Sequence, residues 1–134
     1  MIVIYKIVPD TNFLIYVFKH KINFDYEIER ALNTKFEIVI LSPVKEELER
    51  LLKSGDLKGK EKLAVNLALA KIKNYKLVDY PANYADEAIL NYAKENEKVI
   101  VATNDKELKE KLIENNIPVM IVRQKKYFEI FGMV

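Results

Sequence analysis

The strongest constraint on this chain is a regular change in the period of its apolar residues. Ile2-Val3-Ile4-Tyr5-Lys6-Ile7-Val8 is nearly continuous and β-branched, the pattern of a strand buried on both faces in a parallel sheet. After Pro9-Asp10 the spacing turns helical, from Thr11 to about Lys19 and again from Asp25 to Leu32. Glu37 to Leu41 reads as a second strand. Ser42-Pro43 then opens a helix running to about Lys53, with a capping serine before a proline at the first helical position. Ser54 to Gly59 breaks that helix, and Lys60 to Asn74 is helical again. Lys76 to Tyr80 reads as a short strand, Asn83 to Glu95 as a helix, Lys98 to Ala102 as a strand, Asp105 to Asn115 as a helix and Pro118 to Val122 as a last strand. Strands alternating with helices demand right-handed crossovers. The expectation is an α/β three-layer sandwich around a central, mainly parallel five-stranded sheet. No repeat, low-complexity segment or linker interrupts the sequence, so residues 1–134 read as a single domain. The tail Lys125 to Phe131 is expected to pack on the sheet or on a partner subunit.

The side-chain inventory removes much chemistry. Without cysteine there are no disulfides, thiolate zinc sites or cysteine nucleophiles. His20 is the only histidine, which excludes a histidine acid–base pair and a zinc site with two imidazoles. Ser42 and Ser54 are the only serines, and neither sits in a nucleophile elbow. Gly55-Asp56-Leu57-Lys58-Gly59-Lys60-Glu61 is one residue short of a P-loop and carries glutamate where a magnesium-binding hydroxyl is needed. No apolar run approaches the roughly 20 residues that span a bilayer, and no secretory signal is expected, so a cytoplasmic protein without membrane contact is the expectation. The net charge is only +2, so any basic patch is local. Lys53, Lys58, Lys60 and Lys62 form one around two glycines, read either as a solvated loop or as a phosphate-steering flap. Carboxylates remain plentiful.

Parallel α/β sheets place their sites at the carboxyl ends of the strands. Asp10 follows the first expected strand, Asp105 the fourth, and Asp86 opens the helix after the third. Each could be a simple helix cap or first-turn acid favoured by the macrodipole. At about 100° per residue, however, Asp10 falls on the stripe of Phe13, Leu14 and Val17, Asp86 on that of Ile89, Leu90 and Ala93, and Asp105 on that of Leu108 and Leu112. Glu47 lies roughly 85° from the centre of the Val44, Leu48, Leu51 and Leu52 stripe, whereas Glu46 lies about 175° away and should face water. Four carboxylates brought together would repel and raise one another's pKa values. Magnesium or manganese resolves the conflict, since hard oxygen ligands suit both, and either supports attack of water on a phosphodiester.

The motifs Val8-Pro9-Asp10-Thr11-Asn12-Phe13-Leu14, Ser42-Pro43-Val44-Lys45-Glu46-Glu47-Leu48, Tyr84-Ala85-Asp86-Glu87-Ala88-Ile89-Leu90 and Val101-Ala102-Thr103-Asn104-Asp105-Lys106-Glu107-Leu108, in this order, resemble the PIN-domain nucleases. They look most like the pre-rRNA-processing branch and its archaeal relatives, with VapC-type toxin ribonucleases second. The resemblance implies sheet order 3-2-1-4-5 and an endoribonuclease dependent on Mg2+ or Mn2+, acting in rRNA processing or RNA turnover. By motif position Asp10, Glu47, Asp86 and Asp105 match the four family acids, and Thr11, Asn12, Thr103 and Asn104 the polar residues that orient the acids or their waters. Glu87 is a lower-ranked outer ligand. On this reading Lys53, Lys58, Lys60 and Lys62 are candidate RNA phosphate contacts. A homodimer, and for the toxin type a small antitoxin, are the implied protein partners. Rivals of other classes are a phosphoacceptor receiver, for which Asp10 stands alone where two acids are needed; a dehalogenase-like phosphatase, whose Asp-x-Asp is spoiled by Asn12; and a non-catalytic RNA-binding or assembly subunit.

Overall fold

A computed structural model of the chain describes residues 3–134, so Ile2, the expected start of the first strand, lies outside the described residues. In chain order the elements are β1 (Tyr5–Pro9), α1 (Thr11–Lys19), α2 (Phe24–Leu32), β2 (Phe36–Leu41), α3 (Ser42–Ser54), α4 (Gly59–Ile72), β3 (Lys76–Val78), α5 (Ala85–Glu95), β4 (Val99–Ala102), α6 (Lys106–Glu114), β5 (Val119–Arg123) and β6 (Tyr127–Phe131). The sheet runs β3-β2-β1-β4-β5-β6. Its first five strands are parallel, with Ile7 opposite Ile38 on β2 and Ile100 on β4. Residues 7–8, 38–41, 99–102 and 119–121 are buried consecutively rather than alternately, as a sheet covered on both faces requires. The strand order reverses between β1 and β4. Right-handed crossovers therefore carry α1 to α4 over one face and α5 and α6 over the other. Accordingly α1, α3 and α4 pack on one another, and α5 packs on α6.

The sheet has six strands rather than the expected five. The tail doubles back as β6, antiparallel to β5, with Met120 opposite Ile130 and Val122 opposite Phe128. The hairpin turn has φ of 52° at Gln124 and 56° at Lys125, closed by Lys126 N–H donating to the Arg123 carbonyl at 3.0 Å. Positive φ at both central residues is the geometry usually marked by Asn-Gly or Gly-Gly. Gln-Lys carries no such mark. The tail thus packs on the chain's own sheet, where Phe128 joins Phe13 and Phe24 with ring centroids 5.2 to 6.2 Å apart.

Ser42 also differs from expectation. It begins α3 but does not cap it. Its Oγ accepts from the Tyr80 N–H at 2.9 Å and donates to Asp79 Oδ1 at 3.3 Å, fastening the segment after β3 to the start of α3. The break after α3 is as expected: Gly55 ends the helix with φ 76°, the left-handed position that favours glycine.

The tail is held by a buried acid. Glu27 Oε1 accepts from the Phe128 N–H at 3.0 Å and from Arg30 Nε at 3.1 Å, and the Arg30 guanidinium donates to the Phe128 carbonyl at 2.8 Å. Glu27→Ala strands the buried Phe128 N–H and should destabilise the fold by about 1–3 kcal/mol. Chemical denaturation measures this, and hydrogen exchange should show β6 losing protection before β1.

Candidate active site

Asp10 follows β1 directly, and its N–H donates to the Ala102 carbonyl of β4 at 3.0 Å, so the sheet ladder itself sets its position. Its carboxylate is buried, 4% exposed. Oδ1 accepts from the Phe13 N–H at 2.7 Å and so caps α1, while Oδ2 accepts from the Thr103 hydroxyl. Thr103 is fully buried after β4, anchored by its own N–H to the Met120 carbonyl at 3.0 Å. Its Oγ1 also accepts from the Asp105 N–H at 3.0 Å. Asp105 in turn caps α6, Oδ1 accepting from Leu108 N–H at 3.1 Å. One hydroxyl therefore links the acid after β1 to the loop carrying the acid after β4.

The first turn of α5 supplies Asp86 and the second turn of α3 supplies Glu47. These four carboxylates line one cavity of about 190 Å³ together with Thr11, Asn12, Tyr84 and Ala85. Glu46 faces solvent outside it and Glu47 is half-buried, matching their angular separation. The angular argument holds less well for the other two acids. Asp10 is buried, but Asp86 and Asp105 are exposed at the rim.

The polar neighbours divide by task. Thr103 orients Asp10. Asn104 turns away, its Oδ1 accepting from the Val122 N–H at 2.9 Å and tying the loop to β5. Asn12 lies exposed on the cavity, and Thr11 Oγ1 is buried without a hydrogen-bond partner among the described residues. Lys53, Lys58, Lys60 and Lys62 do not line the cavity. They belong to the end of α3 and the start of α4, where Glu61 pairs with Lys19 in the last turn of α1. That is roughly 13 Å along α1 from Asp10. The sequence reading missed the cation that does stand near the acids, Lys111 of α6, which shares a neighbouring cavity with Asp86 and Asp105. It also missed Tyr84 as a wall of the site. Its only signal is an aromatic residue immediately before the Ala-Asp that opens α5.

Burial pushes the Asp10 carboxyl up to about 6, against the lowering hydrogen bonds from Thr103 and Phe13; Asp86 and Asp105 add to the rise. Asp86 is likewise raised, by its own desolvation and then by Asp105 and Glu47, with Lys111 opposing. A pocket whose acids resist ionising together calls for a cation. The donor set fits a hard divalent ion of the Mg2+ or Mn2+ kind, being all oxygen with no imidazole or thiolate. Among the described residues no three acids stand as a closed ligand shell. Asp10 and Asp105 are each held by the helix they cap, whereas the carboxylates of Glu47 and Asp86 have no hydrogen-bond partner among the described residues.

Residues 7–125 match the family described as PIN like domain. The chain is 95% identical over 130 residues to ribonuclease VapC4 of Methanocaldococcus jannaschii, covering 97% of this chain and 99% of that protein. It is 35% identical over 119 residues to ribonuclease VapC9 of Archaeoglobus fulgidus, covering 89% and 84% respectively. The solved structure of the PIN domain endonuclease Utp24 superposes with a TM-score of 0.79 at 26% identity, over 97% of this chain and 93% of that one.

The raised carboxyl of Asp10 has a consequence for stability. Between its unfolded value of 3.8 and about 6, the folded chain keeps a proton that the unfolded chain releases, so stability falls as pH rises through that window. Asp10→Asn keeps the Oδ1 acceptor for Phe13 and removes the charge, while the oxygen that accepts from the Thr103 hydroxyl becomes an amide donor, which offsets part of the gain. In EDTA at pH 7.5 it should be more stable than wild type by up to about 3 kcal/mol, from roughly two pKa units, and the gain should vanish at pH 4. Thermal melts at the two pH values measure it.

Proposed function

This chain belongs to the PIN-like domain family, and we propose that it is an endoribonuclease dependent on Mg2+ or Mn2+ that hydrolyses RNA phosphodiester bonds. One observation carries the reading: Asp10, Glu47, Asp86 and Asp105, far apart in sequence, line one cavity at the carboxyl edge of the sheet. These four acids would hold the metal, with Asp10 held in one orientation by Thr103 and the cap of α1. Bound there, a divalent cation supplies the charge that stabilises phosphoryl oxygens and makes water acidic enough to attack. Asn12 and Thr11 contribute polar surface beside Asp10, while Asn104 keeps the Asp105 loop on β5. No general acid–base histidine serves this route. His20 ends α1, at the opposite end from Asp10. The 2′-hydroxyl therefore has no imidazole to activate it, and products carrying 5′-phosphate and 3′-hydroxyl ends are expected.

Lys53, Lys58, Lys60 and Lys62 serve on this reading as contacts to RNA phosphates beyond the cut. Two relatives named ribonuclease VapC favour the toxin-type role, with a small antitoxin as partner; processing of ribosomal RNA is the second role. No helix among the described residues is long and apolar enough to cross a membrane. On the ribonuclease reading the chain acts in the cytoplasm. A homodimer through the tail would draw on the exposed Met133 and Val134 and on the half-buried Tyr127, Ile130 and Phe131 of the edge strand β6, since Phe128 is buried.

Asp10→Asn, Asp86→Asn and Asp105→Asn should each lower metal-dependent RNA cleavage by roughly 100-fold or more, while Glu46→Gln stays within about twofold of wild type. Gel assays with labelled RNA in Mg2+, Mn2+ or EDTA measure this, and end analysis identifies the products. RNA binding with no cleavage in either metal would favour a non-catalytic RNA-binding subunit. Recovery of 2′,3′-cyclic phosphate ends alone would exclude hydrolysis by water.

A further inference from the structure

From Leu63 to Ile72, α4 has only two polar residues, Asn66 and Lys71. One side of the helix, with Ala64, Val65, Ala68 and Ile72, is buried and packs on α1 and α3. At about 100° per residue, Asn66, Ala70, Leu63 and Leu67 fall in a sector roughly 100° wide on the opposite side. All four are exposed, Leu63 at 59% and Leu67 at 44%. That is the width of a stripe that normally faces a core. Leucines exposed singly need no explanation, but these two adjoin on one face with Ala70 one turn on. Lysines border the sector on both sides, Lys62 and Lys73 on one, Lys60 and Lys71 on the other. Lys71 is engaged with Asp25 at 3.0 Å. Lys60, Lys62 and Lys73 are in no ion pair among the described residues. The one acid of the helix, Glu61, lies on the side toward α1, where it pairs with Lys19. By contrast α3, α5 and α6 turn acids and cations together to water, Glu46 with Arg50, Glu87 with Lys94 and Glu110 with Lys111.

We propose that the outward face of α4 docks a partner protein through an amphipathic helix whose apolar stripe is bordered on both sides by aspartate or glutamate. The inference draws on none of the four acids and stands apart from the ribonuclease reading. Charge complementarity selects the occupant. A stripe between two lysine borders is matched by a stripe between two acidic ones, which covers the leucines and gives Lys60, Lys62 and Lys73 the carboxylates they lack. A second copy of this face fits poorly. Both of its borders carry the same sign, so every orientation sets lysine against lysine. RNA phosphates would meet Lys60 and Lys62, but they have no use for the leucines between the borders. The apolar surface also continues past Lys73, into a cavity of about 410 Å³ formed by Leu69, Tyr75 and Leu77 and edged by Lys45, Lys73 and Glu49. Two lysines to one acid keep the same sign there.

Fluorescence anisotropy with two labelled synthetic helical peptides tests this on the full chain. Each carries a stripe of leucine and alanine, bordered by glutamate in one peptide and by lysine in the other. The glutamate peptide should bind at least about 10-fold more tightly, and added salt should narrow the difference. Leu63→Ser with Leu67→Ser should raise its Kd about 10-fold. Both positions are exposed, so the thermal melt should stay close to wild type. Lys62→Glu with Lys73→Glu should move the preference toward the lysine peptide. Equal or absent binding of the two peptides, or a glutamate-peptide Kd unchanged by the leucine substitutions, would overturn the proposal. Wild-type dimers in solution that the leucine substitutions dissociate would make a second copy the occupant and overturn it as well. So would a single-stranded RNA whose Kd rises about 10-fold in the leucine variant, since RNA would then cover the stripe. Metal-dependent cleavage by the leucine variant within about twofold of wild type is expected whichever result is found, which keeps this test separate from that of the nuclease.

Discussion

Asp10 is a carboxylate taken out of water and held by two donors that belong to different parts of the sheet edge, the Phe13 N–H at the start of α1 and the Thr103 hydroxyl at the end of β4. Burying such a group is costly unless its oxygens are hydrogen-bonded, and here both are. The bonds decide more than its own position. Because Thr103 Oγ1 also accepts from the Asp105 N–H, the loop carrying the second acid is referenced to the first. The cap on Phe13 fixes where α1 begins, and with it the placement of Thr11 and Asn12 beside the cavity.

The topology explains why this edge and no other receives the acids. With the order β3-β2-β1-β4-β5-β6, the chain leaving β1 crosses toward β2 and the chain leaving β4 crosses toward β5. The two departing loops diverge and leave a crevice between them, the switch point at which open α/β sheets bind ligands. Asp10 and Asp105 flank it, while α3 brings Glu47 from one side and the start of α5 brings Asp86 and Tyr84 from the other. A cavity assembled from four separate crossovers needs no extended motif in any one of them.

This division accounts for what the sequence discloses. Periodicity depends on which faces are buried, so the parallel strands and six helices are legible to within a few residues. The contrast between Glu46 and Glu47 follows from helix geometry alone. β6 is hidden because Gln124 and Lys125 adopt positive φ without the glycine or asparagine that would advertise it. Ser42 has the sequence of a cap, yet its hydroxyl answers to Asp79 and Tyr80, neighbours that only the folded sheet supplies. Lys111 escapes the sequence pattern for the same reason: nothing local to α6 shows that it shares a cavity with Tyr84, Asp86 and Asp105. The stripe position also overstates the burial of Asp86 and Asp105, which lie exposed on the cavity.

The cap and the ligand are usually weighed as competing explanations of an acid at a helix start, but here they are compatible. Capping uses one oxygen, Oδ1, of Asp10 and of Asp105, and a carboxylate oxygen can accept more than one partner. The helix N-termini favour negative charge, which offsets part of the repulsion from gathering acids around a small cavity. That offset is incomplete, since burial and the neighbouring acids still leave the Asp10 carboxyl near 6 and the Asp86 carboxyl raised. The residual strain is electrostatic rather than steric. Positive charge placed among the four carboxylates would relieve it, so the arrangement that weakens the metal-free protein above pH 4 is one that would favour a divalent cation in that cavity.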